Sequence, residues 1–540
     1  MTANTSLNEQ SRTAVKTPYE WTPLQAPPGW RSRAGWPLSY VSSAALCDGV
    51  RDRTIKFTAG QKDEFHRDVL LLAGHHLIGN VAAALEVAVA LQKAQEEGVT
   101  VIGNSAGLDF LAGRCQQSQG WEGFSGTKAA DAEEVRWSSL RRLARNLSWH
   151  GPIDSLIALA RSEVTVISHN PLLLQQASKR ELGPIGYLHA SSLLLSSRRS
   201  SRQSERQKPC ALALSTDMLD AMLDDPELSP KMVIRLTEML FKTVTSVIDQ
   251  ALSDLLALRE ARMPKEIWSG TGGSWASRAI GLAALSQGAK VCRFSHGAKD
   301  GMIADTETLA YIELASSSQF MLGTRKAAGL AERLGLAQSN SVTRPVSLSG
   351  GQGLPLLKSV PAHQGQTSTK SARKVMYAPT IMRGARQLVP ALLPDSVYLN
   401  WQMTVGEALQ NGYHECLLKP HPEGAARGKP HPLASCGRVA EERFEAYLSW
   451  ADVFVFDWGE STTFWEAVCT NRPILYLDLG LTAFNPEIAP LIRQRCHFLP
   501  VSYDERNCPI LDVALLNAAI SDAPEFVDSG SLREFLIGDL

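Results

Sequence analysis

One alternation runs through most of this sequence: short apolar runs, each ending in a turn, are separated by longer amphipathic stretches. In the first half the runs are RDVLLLAG, VTVIGNS, EVTVISHN, KEIWSG, AKVCRFSHG and QFMLGT; in the second they are KVMYAPT, HECLLKPHP, DVFVFD, RPILYLD and HFLPVS. Apolar runs of this length bounded by turn signals suit strands buried on both faces, and their alternation with helices gives parallel α/β layers. A chain of 540 residues exceeds what one core supports. The predicted fold is therefore α/β, with two Rossmann-like domains facing a central cleft. Residues 1–60, rich in Pro, Trp and Ser, read as an irregular arm whose tryptophans dock on the rest. Residues 61–345 read as the first domain, with a helical insertion over about 172–261. The Gly/Ser/Gln-rich stretch 346–372 reads as a linker, and 373–540 as the second domain.

Composition narrows the classes. The formal net charge is -1, so nothing in the global balance calls for nucleic acid. The nine cysteines include no CxxC pair and read as reduced thiols of a cytoplasmic protein. No His/Cys/Asp group has metal-ligand spacing, so no metal is predicted. The sequence shows no apolar signal core and no uncharged 18-residue apolar run, which argues against a membrane span. The basic stretch SSRRSSRQSERQK suits either a solvated mobile loop or peripheral contact with the inner face of a cytoplasmic membrane.

In parallel sheets ligands bind at the carboxyl ends of the strands, so the residues after each apolar run are the candidates. In LLKPHPEG, Pro420 and Pro422 hold the loop extended around His421, beside Lys419. A cation and a directed hydrogen-bond donor suit a phosphate; a histidine capping a carbonyl explains the motif equally well. In DVFVFDWGESTTFWEAV a strand leads into Ser461, Thr462 and Thr463 at a helix start, where an anion could sit. Thr463 and Glu466 also match a capping box, which helix initiation alone would explain. In the first half, the glycine turn ending in Gly272 and Gly273 could form an anion nest of backbone N–H groups. It matches neither a Walker A motif nor GxGxxG. CRFSHGAKDGM places His296 at a strand end as a candidate general base, with Asp300 to orient the ring or replace it; a histidine satisfied by a neighbouring loop is the alternative. His75 and His76 in LLLAGHHLIGN read as another strand-end pair.

Together, LLKPHPEGAARG and ADVFVFDWGESTTFWEAVCTNRPILYLD resemble the donor half of bacterial surface-polysaccharide glycosyltransferases of the GT-B architecture. They are most similar to the capsule-type Kdo transferases and the bacterial sialyltransferases. VMYAPT, which ends in Thr380, and SHG additionally resemble the teichoic-acid polymerases that use CDP-glycerol. The resemblance spans roughly residues 265–480. It implies that Lys419 and His421 meet the donor phosphate, that Ser461, Thr462 and Thr463 meet the phosphate or base, that Glu466 meets the ribose, and that Thr380 belongs to the same site. It implies a CMP-linked sugar of the Kdo or sialic-acid kind as co-substrate, with no other cofactor, and a glycan or lipid-linked glycan as acceptor. One departure stands out: where the family often has two adjacent serines this chain reads GESTTF, with Glu460 just before them. A CDP-polyol phosphotransferase and a non-catalytic nucleotide- or glycan-binding regulator remain alternative functions.

Overall fold

The computed structural model describes residues 16–122, 140, 143–144, 147–148, 151–157, 162–179, 183–200, 208–225, 227–339, 344–360, 373–388, 390–412 and 414–538. Near the N-terminus β1 (Tyr19–Glu20) pairs in parallel with β2 (Val101–Ile102). The first large sheet contains β3 (Val164–Val166), β4 (Ile185–Tyr187), β5 (Glu266–Ser269), β6 (Lys290–Phe294), β7 (Gln319–Leu322) and β8 (Ser347–Gly350). Its strands are parallel and ordered β4-β3-β5-β6-β7-β8. The second contains β9 (Lys374–Tyr377), β10 (Glu415–Leu418), β11 (Val453–Phe456), β12 (Ile474–Asp478) and β13 (Cys496–Pro500), also parallel and ordered β10-β9-β11-β12-β13. A short antiparallel pair, Ser502–Tyr503 with Pro509–Ile510, follows. The central strands carry unbroken apolar sequence because both faces are covered: all four residues of β11, Val-Phe-Val-Phe, are buried. In each sheet the chain starts in the middle, steps outward to one side, then returns to build the other. This creates an order reversal between β3 and β5, and another between β9 and β11.

Several boundaries differ from the sequence reading. RDVLLLAG is not a strand but part of a 33-residue helix, Glu64–Glu96, capped by Asp63, which accepts from His66 N. The helix is buried on nearly every side, so its apolar residues show no helical stripe, and an apolar run without a stripe imitates a buried strand. His75 and His76 thus lie inside a helix, not at a strand end. By length and composition this helix could cross a membrane, but 89% of its most apolar window is buried within the protein. VTVIGNS contributes only the two residues of β2, which join the N-terminal arm and not a large sheet. The arm is irregular only up to Leu38; Tyr40–Ala59 is a helix capped by Ser39. The stretch taken as a helical insertion contains β4 as well as helices. The predicted linker begins with β8, whose sequence Ser-Leu-Ser-Gly carries no apolar signal because the strand lies at the sheet edge; residues 361–372 lie outside the described residues. The basic stretch begins as the end of the Ala190–Ser200 helix, and residues 201–207 lie outside the described residues.

Each half holds an element of the other. The N-terminal arm packs on the second half, as its tryptophans led us to expect: Trp21 and Trp36 are buried with ring centroids 5.0 Å apart. Trp36 N donates to Arg506 O at 2.9 Å, and Asn507 Nδ2 donates to Trp36 O at 2.9 Å. Conversely the C-terminal helix Gly530–Ile537 returns to the first half, where Thr324 Oγ1 donates to Phe535 O at 2.6 Å. The hydrophobic core falls into two large clusters, each of which includes strand residues of both sheets.

Candidate functional site

The order reversal between β9 and β11 splits the connections to opposite sides of the sheet and leaves a crevice at the strand ends, the usual ligand position in such sheets. β9 leads into Ala378, Pro379 and Thr380, β10 into Lys419 and His421, and β11 into Asp457 through Ser461. Three adjacent strands therefore bring six residues read from the sequence as donor-site candidates, Thr380, Lys419, His421, Ser461, Thr462 and Thr463, to one edge. Asp457, which the sequence reading passed over, braces this edge. It is fully buried and accepts from Tyr377 OH at 2.6 Å, Tyr398 OH at 2.9 Å and Trp401 Nε1 at 3.0 Å. Burial pushes its carboxyl up to about 6, against the pull of these three donors. Tyr398 OH also accepts from Thr380 N at 2.8 Å, so one buried cluster fixes the turns after both β9 and β11.

Ser461 is the N-cap of the helix Thr462–Val468, its Oγ accepting from Phe464 N at 3.1 Å and lying 2.9 Å from Thr463 Oγ1. The Thr463/Glu466 capping box is thereby overturned: Thr463 is inside the helix, and Glu466 does not reach back to a cap. Glu466 instead points inward, 2% exposed, with Oε2 unpaired. Burial, reinforced by the charge of Glu445, pushes its carboxyl up to about 8. Burial lowers the pKa of Lys419, and the charge of Glu445 offsets part of that shift. Thr380 Oγ1 is another buried oxygen without a partner. His421 Nδ1 accepts from Glu423 N at 3.2 Å, and burial lowers the imidazole's pKa, so the neutral ring carries its proton on Nε2 as a donor.

The first half meets this edge. His296 and Gly297 follow β6, and a Cβ on Gly297 would stand 4.0 Å from Thr462 Oγ1. Lys299 Nζ pairs with Glu460 Oε2 at 2.6 Å across the two halves. Glu460 is thus paired with a lysine from the other half. His296 is 54% exposed, with Nδ1 3.9 Å from Glu313 Oε1. Asp300 does not orient that ring: it is buried and accepts from Ser295 Oγ at 2.6 Å, inside its own loop. The glycine turn is no open nest either. Glu313 Oε2 accepts from Gly272 N at 2.6 Å and Oε1 from Thr271 Oγ1 at 3.1 Å, while Gly273 N donates to Thr271 Oγ1 at 3.0 Å. An internal carboxylate fills the place predicted for a ligand anion. Glu313 sits on one turn of π-helix, Ala310–Leu314, a local form with no signal in a sequence pattern.

Among the described residues no cluster of three or more His, Cys, Asp or Glu side chains could hold a metal ion. No protein-family model matches the chain, and no curated protein matches it in sequence.

Proposed function

We propose that this protein is a GT-B-type glycosyltransferase of surface-polysaccharide or glycoconjugate synthesis, moving an acidic sugar of the Kdo or sialic-acid kind from a CMP donor to a glycan acceptor on the cytoplasmic side of the membrane. The observation that carries the reading is the set of unsatisfied or donor-ready groups at the second switch point. Buried polar atoms are normally paired, yet among the described residues Glu466 Oε2 and Thr380 Oγ1 have no partner; the strands they follow, β11 and β9, are neighbours, and β9 also adjoins β10, which leads into Lys419 and the Nε2 donor of His421. A nucleotide supplies what they lack: ribose hydroxyls donate to Glu466, and phosphate oxygens accept from Lys419, His421 and the exposed Thr462 hydroxyl. In the reaction the acceptor oxygen forms a bond to the anomeric carbon, the bond from that carbon to the phosphate oxygen breaks, and CMP departs with the electron pair. His296, half exposed opposite the donor edge, takes the acceptor proton, and Glu313 stabilises the resulting imidazolium.

A thermal-stability panel of CMP, UMP, AMP and GMP tests the donor assignment, since a ligand that binds only the native state raises its melting temperature. CMP should stabilise most. Lys419→Ala and His421→Ala should each weaken CMP binding about tenfold or more, the equivalent of one lost charge-assisted hydrogen bond, with melting of the free protein unchanged. Equal CMP affinity in parent and variants would remove the reading.

A further inference from the structure

Between the halves, next to the donor edge, lies a cavity of about 230 Å³ whose lining includes Arg51, His75, Lys299, Arg386, Trp458 and Glu460. Its cations are not equivalent. Arg51 is surrounded by Asp48 at 3.0 Å, Asp52 at 2.8 Å, Glu307 at 3.0 Å and Asp305 at 3.5 Å. Lys299 is paired with Glu460. His75 contacts Gly273 O at 2.8 Å through Nε2, and burial keeps its pKa well below the ordinary value. Among the described residues, Arg386 forms no ion pair.

The backbone that carries Arg386 is nevertheless held in place, while its side chain is exposed. The loop after β9 crosses to the first half and is clamped on the Glu64–Glu96 helix by Glu86. That carboxylate pairs with Arg383 at 2.8 Å, both side chains essentially inaccessible to solvent, and accepts from Gln387 Nε2 at 3.1 Å. Asp395 takes the N–H groups of Arg383 at 2.8 Å and Gly384 at 3.0 Å, while Gln387 N donates to Gly79 O at 2.8 Å. Gly79 permits this approach: a Cβ there would collide with Gln387 O and stand 3.1 Å from Arg386 Nε. Arg383 and Gln387 are consumed by the clamp, and Arg386, which directly precedes Gln387, lines the cavity with no ion-pair partner among the described residues.

We infer that Arg386 forms the recognition site for the carboxylate of the transferred sugar, an inference that rests on the transferase reading above. In a 2-keto sugar acid the carboxylate is attached to the anomeric carbon itself, so it lies within a few bonds of the donor phosphate. The cavity is placed for that geometry, because Trp458 and Glu460 on its wall belong to the same loop as Ser461. Arg51 and Lys299 both have carboxylate partners, so among the described residues Arg386 is the lining cation without one, and its planar fork matches a carboxylate in a bidentate fashion.

The test compares CMP with CMP-N-acetylneuraminate and CMP-Kdo by calorimetric titration of the full chain, in the parent, Arg386→Gln and Arg386→Lys, with melting curves to confirm that each variant folds. In the parent at least one sugar nucleotide should bind more tightly than CMP. Arg386→Gln should leave CMP affinity unchanged and cost that sugar nucleotide about tenfold or more, and Arg386→Lys should recover part of the loss. The inference is overturned if neither sugar nucleotide exceeds CMP, if Arg386→Gln binds them as the parent does, or if inorganic phosphate competes for Arg386 as well as free N-acetylneuraminate does. Failure of the donor reading looks different: CMP itself would not bind, while free N-acetylneuraminate would still perturb the parent's NMR spectrum and not that of Arg386→Gln. Absence of both signals would remove the two together.

Discussion

At the first sheet's order reversal, the turn after β5 closes around Glu313, whose carboxylate takes the Gly272 N–H at 2.6 Å and the Thr271 hydroxyl at 3.1 Å. At the second, between β9 and β11, the buried Asp457 has its donors, but among the described residues Glu466 Oε2 has no partner. Both crevices are built from parallel strand ends followed by a turn and a helix, and both contain a buried glutamate. In one the glutamate is the anion that the backbone was shaped to hold; in the other it is an acceptor still lacking a donor. A glycine-rich turn in a sequence therefore does not by itself indicate an external ligand, since the chain can supply its own. An unsatisfied buried acceptor is the better indicator, because leaving it so costs stability that a hydrogen-bonding ligand can restore.

The largest effect that would sharpen this contrast concerns the division of labour between the halves. If the first crevice serves chemistry and the second serves binding, His296→Ala should lower turnover by about 10² to 10⁴, the usual contribution of general acid–base assistance, and leave CMP affinity unchanged. Matched kinetics and titrations on the same variant check it. A loss of CMP affinity equal to the loss of turnover would erase the division.

A smaller effect tests whether the first crevice is structurally filled. Glu313→Ala strips the acceptor from the buried Gly272 N–H and from Thr271, and should cost roughly 1–3 kcal/mol of stability, the range for a buried group left unsatisfied. Chemical denaturation measures it. An unchanged midpoint would mean that the turn stands without its internal anion, and the two crevices would then be alike.

How far the sequence showed all this depends on the range of the interaction involved. The runs that became β5, β6 and β9 to β12 were legible because each carries a stretch of buried apolar residues, complete only in β11. Thr380, Lys419, His421 and Ser461 were legible because they directly follow such runs. The start of the Glu64–Glu96 helix was misread for the same reason: Val69 to Gly74 is an unbroken buried apolar run. β8 was missed because a polar edge strand is recorded in backbone hydrogen bonds and not in side chains. Glu313 depends on a single turn of π-helix. Arg386 depends on a clamp between Arg383 and Glu86, 297 positions apart, and nothing local marks such a pair.

The smallest effect is the most direct comparison of the two glutamates. Burial raises the Glu466 carboxyl from its ordinary value of 4.5 to about 8, with the charge of Glu445 adding to the shift. Between those values the folded protein keeps a proton that the unfolded chain has released, so this group's stability contribution is complete below about pH 4.5 and is lost as pH rises through about 8. Glu466→Gln cannot ionise. Relative to the parent it should gain melting temperature progressively from pH 5 to pH 8.5 and show no gain at the acid end. Ribose hydroxyls donated to an ionised Glu466 would favour the carboxylate, so saturating CMP should shrink the difference near pH 8 by stabilising the parent more than the variant. Glu313 already has its donors, and the corresponding Glu313→Gln should not show the CMP effect. Parallel pH profiles for the parent and Glu466→Gln would mean that Glu466 already finds a partner in solution, and the second crevice would lose the unsatisfied group on which its assignment rests.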